Sequence, residues 1–215
     1  MRDLKLFIAN KKYSSWSFRP WIAIKVKELP VEEVFSRFDF ASGNVHFAEF
    51  SPNNQVPVLH HGDLVVWDSL AILEYLAELF PEAGLWPQDL AARAKARSIV
   101  SEMHSGFSAL RAECPMNMSR QPASKNVSKA VIANVERITE IWKECLKQTG
   151  GPFLFGDFSI ADAMFAPVIN RFAIYKLVDD PVISKYTKVM TGLDAWKEWE
   201  AAGKAESWIV EQDED

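Results

Sequence analysis

The chain has 215 residues, 48% of them apolar and 25% charged, with a formal charge of −5. That composition fits a soluble globular protein, and its acidity argues against nucleic acid or an anionic membrane surface as the main partner. No apolar run approaches the roughly 18 residues a membrane span needs, and the start "MRDLKLFIANKKYSS" lacks a signal-peptide core, so a cytoplasmic location is expected.

In chain order, "LKLFIA" (residues 4–9) is short, apolar and partly β-branched, and predicts a strand. Apolar residues at Phe18, Trp21, Ile22, Ile24 and Val26 predict a helix over residues 17–28. "VEEVFSRFDF" turns extended and alternating. "FSPNNQVPVLHHGDLVVWDS" carries turn signals, a "VPVL" strand, a "HHGD" hairpin turn and a "LVVW" strand. A helix follows over residues 69–79, so the order is βαβ and then ββα, a small sheet carrying helices.

After "FPEAGLWPQ" the pattern is helical throughout. One long helix is predicted over residues 91–113, a second over 126–148, a third over 159–175 that kinks or breaks near Pro167, and a short one over 194–202. The Pro- and Gly-punctuated segment 81–88 divides the chain into a domain of residues 1–82 and an all-helical domain of residues 88–215. The tail "EQDED" reads as a solvated, frayed end.

Three motifs carry chemistry. Pro57 in "NQVPVL" forces Val56 into extended backbone; in a cis bond it would turn the Val56 backbone groups outward toward a peptide-like ligand. Taken alone, the motif reads as a plain turn proline. In "WDSLAILEYL", Asp68 and Ser69 stand at a helix start, where free N–H groups and the positive dipole end suit a carboxylate. Asp68 beside them can take an ammonium group, although N-capping alone also accounts for the pair. In "NKKYSSWSFRPW", Pro20 is placed in the first helical turn, which makes Ser17 the N-cap and leaves Ser14 and Ser15 just ahead of the helix. No GxSxG elbow, histidine metal spacing or CxxC pair accompanies them, and the two cysteines are Cys114 and Cys145.

Together, the βαβ unit, the Val-Pro strand start and the D-S-x-A-I helix start resemble the N-terminal, thioredoxin-like domain of glutathione transferases. "FGDFSIADAMFAPVI" resembles the helix-start signature of their second domain, with Ser159 capping and Asp162 reaching back. "YSSWSFRPWIAI" is most similar to the serine-type pattern of zeta, or maleylacetoacetate isomerase-like, members. "SEMHSGFSALRAECPMNM" resembles a bacterial branch of serine-type members. The pattern's cysteine position is Trp16 here, and the first 80 residues contain no cysteine, which argues against mixed-disulfide chemistry.

The resemblance implies a fold of an α/β thioredoxin-like domain followed by an all-α domain. It implies an enzyme that takes glutathione as co-substrate, needs no metal and forms a homodimer. Glutathione conjugation to small hydrophobic electrophiles, in detoxification, leads the readings; isomerisation of the maleylacetoacetate type, peroxidase activity and a non-catalytic, regulatory glutathione-binding role are the alternatives. Ser14 is the implied thiol partner, Ser15 the second choice and Tyr13 a third. Gln55, Val56, Pro57, Asp68 and Ser69 are implied for the glutathione site, with His46 a weaker candidate. Met103, His104, Phe107 and Arg111 share a helix face that would line the electrophile pocket, or else pack in the core or at a dimer contact. Trp16 and Arg19 read either as site residues or as a packed aromatic and a structural ion pair.

Overall fold

The computed structural model describes residues 3–214. Leu4, Leu6 and Ile8 point inward along β1 (Leu4–Ile8), the period-two pattern of a strand with one face on a core. Next come α1 (Ser15–Val26) and β2 (Glu32–Phe35), which pairs parallel to β1, Leu6 opposite Glu33. β3 (Val58–His61) runs antiparallel to β1 and turns through Gly62 and Asp63 into β4 (Leu64–Val66), giving the strand order β2-β1-β3-β4. Gly62 has φ +58°, backbone that a two-residue hairpin demands and glycine adopts freely. α2 (Ser69–Leu79) completes the thioredoxin-like unit.

A 3₁₀ turn at Pro81–Ala83 leads into α3 (Leu90–Ser105), α4 (Ser108–Glu113), α5 (Lys129–Thr149), α6 (Ile160–Ile174), α7 (Pro181–Thr191) and α8 (Asp194–Ala205). Isolated bridges near Phe153–Asp157 are the only β-pairing in this half among the described residues. No helix among them is long and apolar enough to cross a membrane.

α6 is the hub, buried along almost all its length and packed on α1 and α3. Its start is fixed by Asp162, whose Oδ2 accepts from the Ser159 amide at 3.0 Å and whose Oδ1 accepts from the Leu154 amide at 3.0 Å and the Tyr186 hydroxyl at 2.9 Å. These bonds satisfy the amides of a helix start sealed from water. Arg19 of α1 donates through Nε to the Met164 carbonyl at 3.1 Å, tying the two halves of the chain together.

Several elements differ from the sequence expectations. The single helix over 91–113 is two helices, α3 and α4. Gly106 caps α3 with its amide on the Glu102 carbonyl at 2.8 Å, and Phe107 then takes φ +55°. A Cβ on Gly106 would lie 2.6 Å from that carbonyl oxygen, so glycine permits the break. α6 runs unbroken through Pro167, because close packing all round it outweighs one missing N–H donor. α7 has no counterpart in the sequence reading; Asp180 caps it through the Val182 and Ile183 amides, and Pro181 starts it.

The acidic tail is not a frayed end. Residues Glu211–Asp213 form a 3₁₀ turn. Tyr13 donates its hydroxyl to the Glu214 carboxylate, and Asn117 Nδ2 donates to the Asp213 carbonyl at 3.3 Å. Side-chain donors on distant elements, invisible to a composition argument, pull the charged segment down. Asp215 lies outside the described residues.

Candidate active site

The turn before α1 sets the geometry. The Asn10 carbonyl accepts from the amides of Tyr13 and Ser14 at 3.2 and 2.8 Å. Glu206 of the α8 terminus accepts from the amides of Lys11 and Lys12 at 2.7 and 3.3 Å. Gly203 of α8 lies so close that a Cβ there would sit 3.0 Å from the Lys12 amide nitrogen. The helical half of the chain therefore fixes the loop from which Ser14 projects.

Ser14, not Ser17, is the N-cap residue of α1, and Pro20 falls in the second turn. The expected division of the serines is corrected accordingly. Ser17 is fully buried, and its Oγ accepts from the Ala9 amide at 3.3 Å and from Ser14 Oγ at 2.8 Å. Proline's first-turn preference gives way because Phe18, Trp21 and Ile22 bury α1 on both sides of Pro20. Ser14 thus stands at the positive end of a helix dipole, with its hydroxyl resting on a neighbouring serine.

A cavity of about 700 Å³ opens at this point. Ser14, Ser15 and Trp16 line it from α1; Gln55, Val56 and Pro57 from the approach to β3; Asp68 and Ser69 from the start of α2; His104 and Arg111 from α3 and α4. The Val56–Pro57 bond is cis. Asp68 caps α2 through Oδ1, which accepts from the Leu70 amide at 3.0 Å, while its Oδ2 faces His104 Nε2 at 2.8 Å. Ser69 Oγ is buried in this wall with no hydrogen-bond partner among the described residues. A buried hydroxyl without a partner is costly, and at a helix N-terminus it is suited to an anionic ligand.

Met103 and Phe107 do not join the cavity wall. Both are buried in the core, because the break at Gly106 turns the predicted common face apart, and only His104 and Arg111 face the cavity. His46 lies outside the wall too; its Nε2 is 2.9 Å from the Arg37 carbonyl. Tyr13 lines the cavity, but Glu214 holds its hydroxyl; burial, then that bond, raises its pKa.

Arg19 forms no ion pair among the described residues. Its guanidinium carbon lies 3.8 Å from the Trp16 ring centroid, and both terminal nitrogens are buried without a hydrogen-bond partner among the described residues. Trp16 itself faces the cavity, with the His104 ring edge-on at 5.4 Å. Burial foremost, then the Arg171 and Arg111 charges, lower the Arg19 pKa.

Arg171, Asp213, Phe38 and Asn53 also line the cavity and went unnoticed in the sequence. Arg171 left a signal: a lone arginine in the apolar run "FAPVINRFAIY" is rarely buried without a purpose. The others come from loops with no periodicity to read. No group of three or more His, Cys, Asp or Glu suited to a metal occurs among the described residues.

Two family models match the chain: the N-terminal domain of glutathione S-transferase over residues 13–79 and the C-terminal domain over residues 91–202. Maleylacetoacetate isomerase of Rattus norvegicus is 31% identical over 194 residues, covering 86% of this chain and 87% of the relative. Glutathione S-transferase 1 of Dianthus caryophyllus is 31% identical over 170 residues, covering 77% and 76%. Among solved structures, a glutathione transferase homolog from Burkholderia, crystallised with bound glutathione, superposes with a TM-score of 0.71 at 22% identity, covering 96% of this chain and 100% of that one.

Proposed function

Because the chain belongs to the glutathione transferase family, we propose that it binds glutathione in this cavity and transfers it to a small electrophile, with the Ser14 hydroxyl donating to the thiolate. The observation that carries the reading is Ser69 Oγ, buried and without a partner at the N-terminus of α2, in the same wall as Ser14. Ser69 receives the glutamyl carboxylate at the positive end of α2, and Asp68, through the Oδ2 that faces His104, takes its ammonium group. The Val56 backbone, presented beside Pro57, pairs with the peptide, and Gln55 adds a polar contact. His104 and Arg111, from the helical half, border the electrophile.

The chemistry asks little of the protein. A free thiol has a pKa of about 8.5, so lowering it by roughly two units costs about 2.7 kcal/mol. A hydroxyl donating to an anion contributes about 1.5–3 kcal/mol, and a helix N-terminus about 0.3–1 kcal/mol. The two together suffice, and the thiol proton leaves to water in the open cleft. The thiolate then forms the sulfur–carbon bond while the electrophile's leaving group departs with its electron pair. Serine acts as a donor throughout, so no histidine base is needed.

Isomerisation is the second reading, favoured by the maleylacetoacetate isomerase at 31% identity. There the same thiolate adds to a carbon–carbon double bond, the resulting single bond rotates, and the thiolate leaves again.

Thiolate absorbance of bound glutathione, followed against pH, tests the assignment. Ser14→Ala is expected to raise the apparent thiol pKa by at least about one unit and to lower kcat/KM at least about tenfold, with binding much less affected. An unchanged titration and unchanged turnover would remove Ser14 from the role.

A further inference from the structure

A second group of charges occupies the cavity away from the serines. Arg171 is 3% exposed, yet it lines the cavity. Its Nε donates to the Cys114 carbonyl at 2.8 Å, and its Nη1 is buried with no partner among the described residues. Arg111 stands in the same wall. Burial and then the Arg111 charge lower the Arg171 pKa to about 10, and burial lowers that of Arg111. Arg111 Nη1 donates to the Met103 and Gly106 carbonyls, and neither guanidinium makes an ion pair among the described residues. The planar fork of a guanidinium matches the two oxygens of a carboxylate in a pair of parallel N–H···O bonds.

The tail brings such a group into the same wall. Asn117 Nδ2 holds the Asp213 carbonyl at 3.3 Å, and Arg120 Nη1 holds the Glu214 carbonyl at 2.7 Å. So anchored, Asp213 lines the cavity with Arg171, whose charge favours its ionised form. Burial works against that and is the larger effect, so the Asp213 pKa is raised. Asp213 makes no ion pair with either guanidinium among the described residues, so Arg171 Nη1 stays open to a better-placed carboxylate.

We propose that Arg171 and Arg111 form the seat for a carboxylate carried by the co-substrate, and that Asp213 is a neighbouring negative charge that opposes its entry. The assignment of this anion to a co-substrate rests on the reading above. Binding at the seat does not, and the two are separable by experiment.

The test uses the full chain without glutathione and a matched pair of unreactive probes, 3,5-dinitrobenzoate and 1,3-dinitrobenzene, titrated by calorimetry. The benzoate is expected to bind at least about tenfold tighter than the neutral ring. Asp213→Asn should tighten benzoate binding about three- to tenfold by removing a negative charge from the same wall. Arg171→Lys, which keeps the charge and loses the fork, should weaken it about tenfold, and Arg111→Gln supplies a second variant on another helix should Arg171→Lys fail to fold. Equal affinity for the two probes, or benzoate binding unchanged or weakened in Asp213→Asn, overturns the proposal. A separate titration with glutathione alone reports on the thiol site. Loss of glutathione binding with benzoate discrimination intact removes the glutathione reading and keeps the seat; the reverse pattern removes the seat.

Discussion

Ser14 Oγ donates to Ser17 Oγ across 2.8 Å, and Ser17 Oγ also accepts from the Ala9 amide just past β1. Ser17 therefore does two things: it ties the sheet to α1 and competes with any thiolate for the Ser14 proton. Ser17→Ala separates them. The Ala9 amide loses its acceptor, at a cost of about 1–3 kcal/mol, visible in urea unfolding. The Ser14 hydroxyl, released, should lower the apparent pKa of bound glutathione; a higher pKa would show that Ser17 orients the donor and does not compete for it.

Glu206 governs the loop that presents Ser14. It accepts from two backbone amides and from Asn10 Nδ2 at 3.2 Å, bonds to a charged acceptor worth about 1.5–3 kcal/mol each before solvent screening. Glu206→Ala is expected to cost about 2 kcal/mol in stability. It should also reduce kcat more than it raises KM for glutathione, since Gln55, Asp68 and Ser69 stay in place. Steady-state kinetics with both substrates varied checks the split.

Asp162 makes stability depend on pH. Burial, against four hydrogen bonds, pushes its pKa from 3.8 up to about 6. A carboxyl raised in the folded state holds its proton there while the unfolded chain has lost its own. Its contribution is therefore full below pH 4 and lost as pH rises through 6, a change of about 3 kcal/mol. Asp162→Asn loses the acceptor for the Ser159 amide and is destabilised at every pH. Its deficit relative to the parent chain should shrink between pH 4 and pH 7 in parallel unfolding titrations; a constant deficit would show that the carboxyl does not titrate there.

Gly106→Ala pushes a methyl against the Glu102 carbonyl, 2.6 Å away. We expect a loss of about 1–3 kcal/mol. Because Arg111 donates to the Met103 and Gly106 carbonyls, the substitution should also move that guanidinium. Binding of 3,5-dinitrobenzoate should then weaken while glutathione binding holds, a pattern readable in two calorimetric titrations.

Much of the molecule is written locally. The alternation of Leu4, Leu6 and Ile8, the Val-Pro strand start, Asp68 and Ser69 at a helix start and the Ser159–Asp162 box are short-range patterns that set local backbone structure. They fixed the layout of a thioredoxin-like unit followed by helices, and placed Ser14, Gln55, Val56, Pro57, Asp68 and Ser69 on connections that meet at one cleft. Tertiary structure decided the rest. Pro20 and Pro167 sit inside helices because burial on every side outweighs one missing donor. Met103 and Phe107 go to the core because a single left-handed residue re-aims the chain after Gly106. Arg171 and the acidic tail reach the cavity through hydrogen bonds to residues distant in sequence, such as Cys114 with Arg171 and Tyr13 with Glu214. Such pairings depend on how packed elements align in space, and no local period or spacing encodes them.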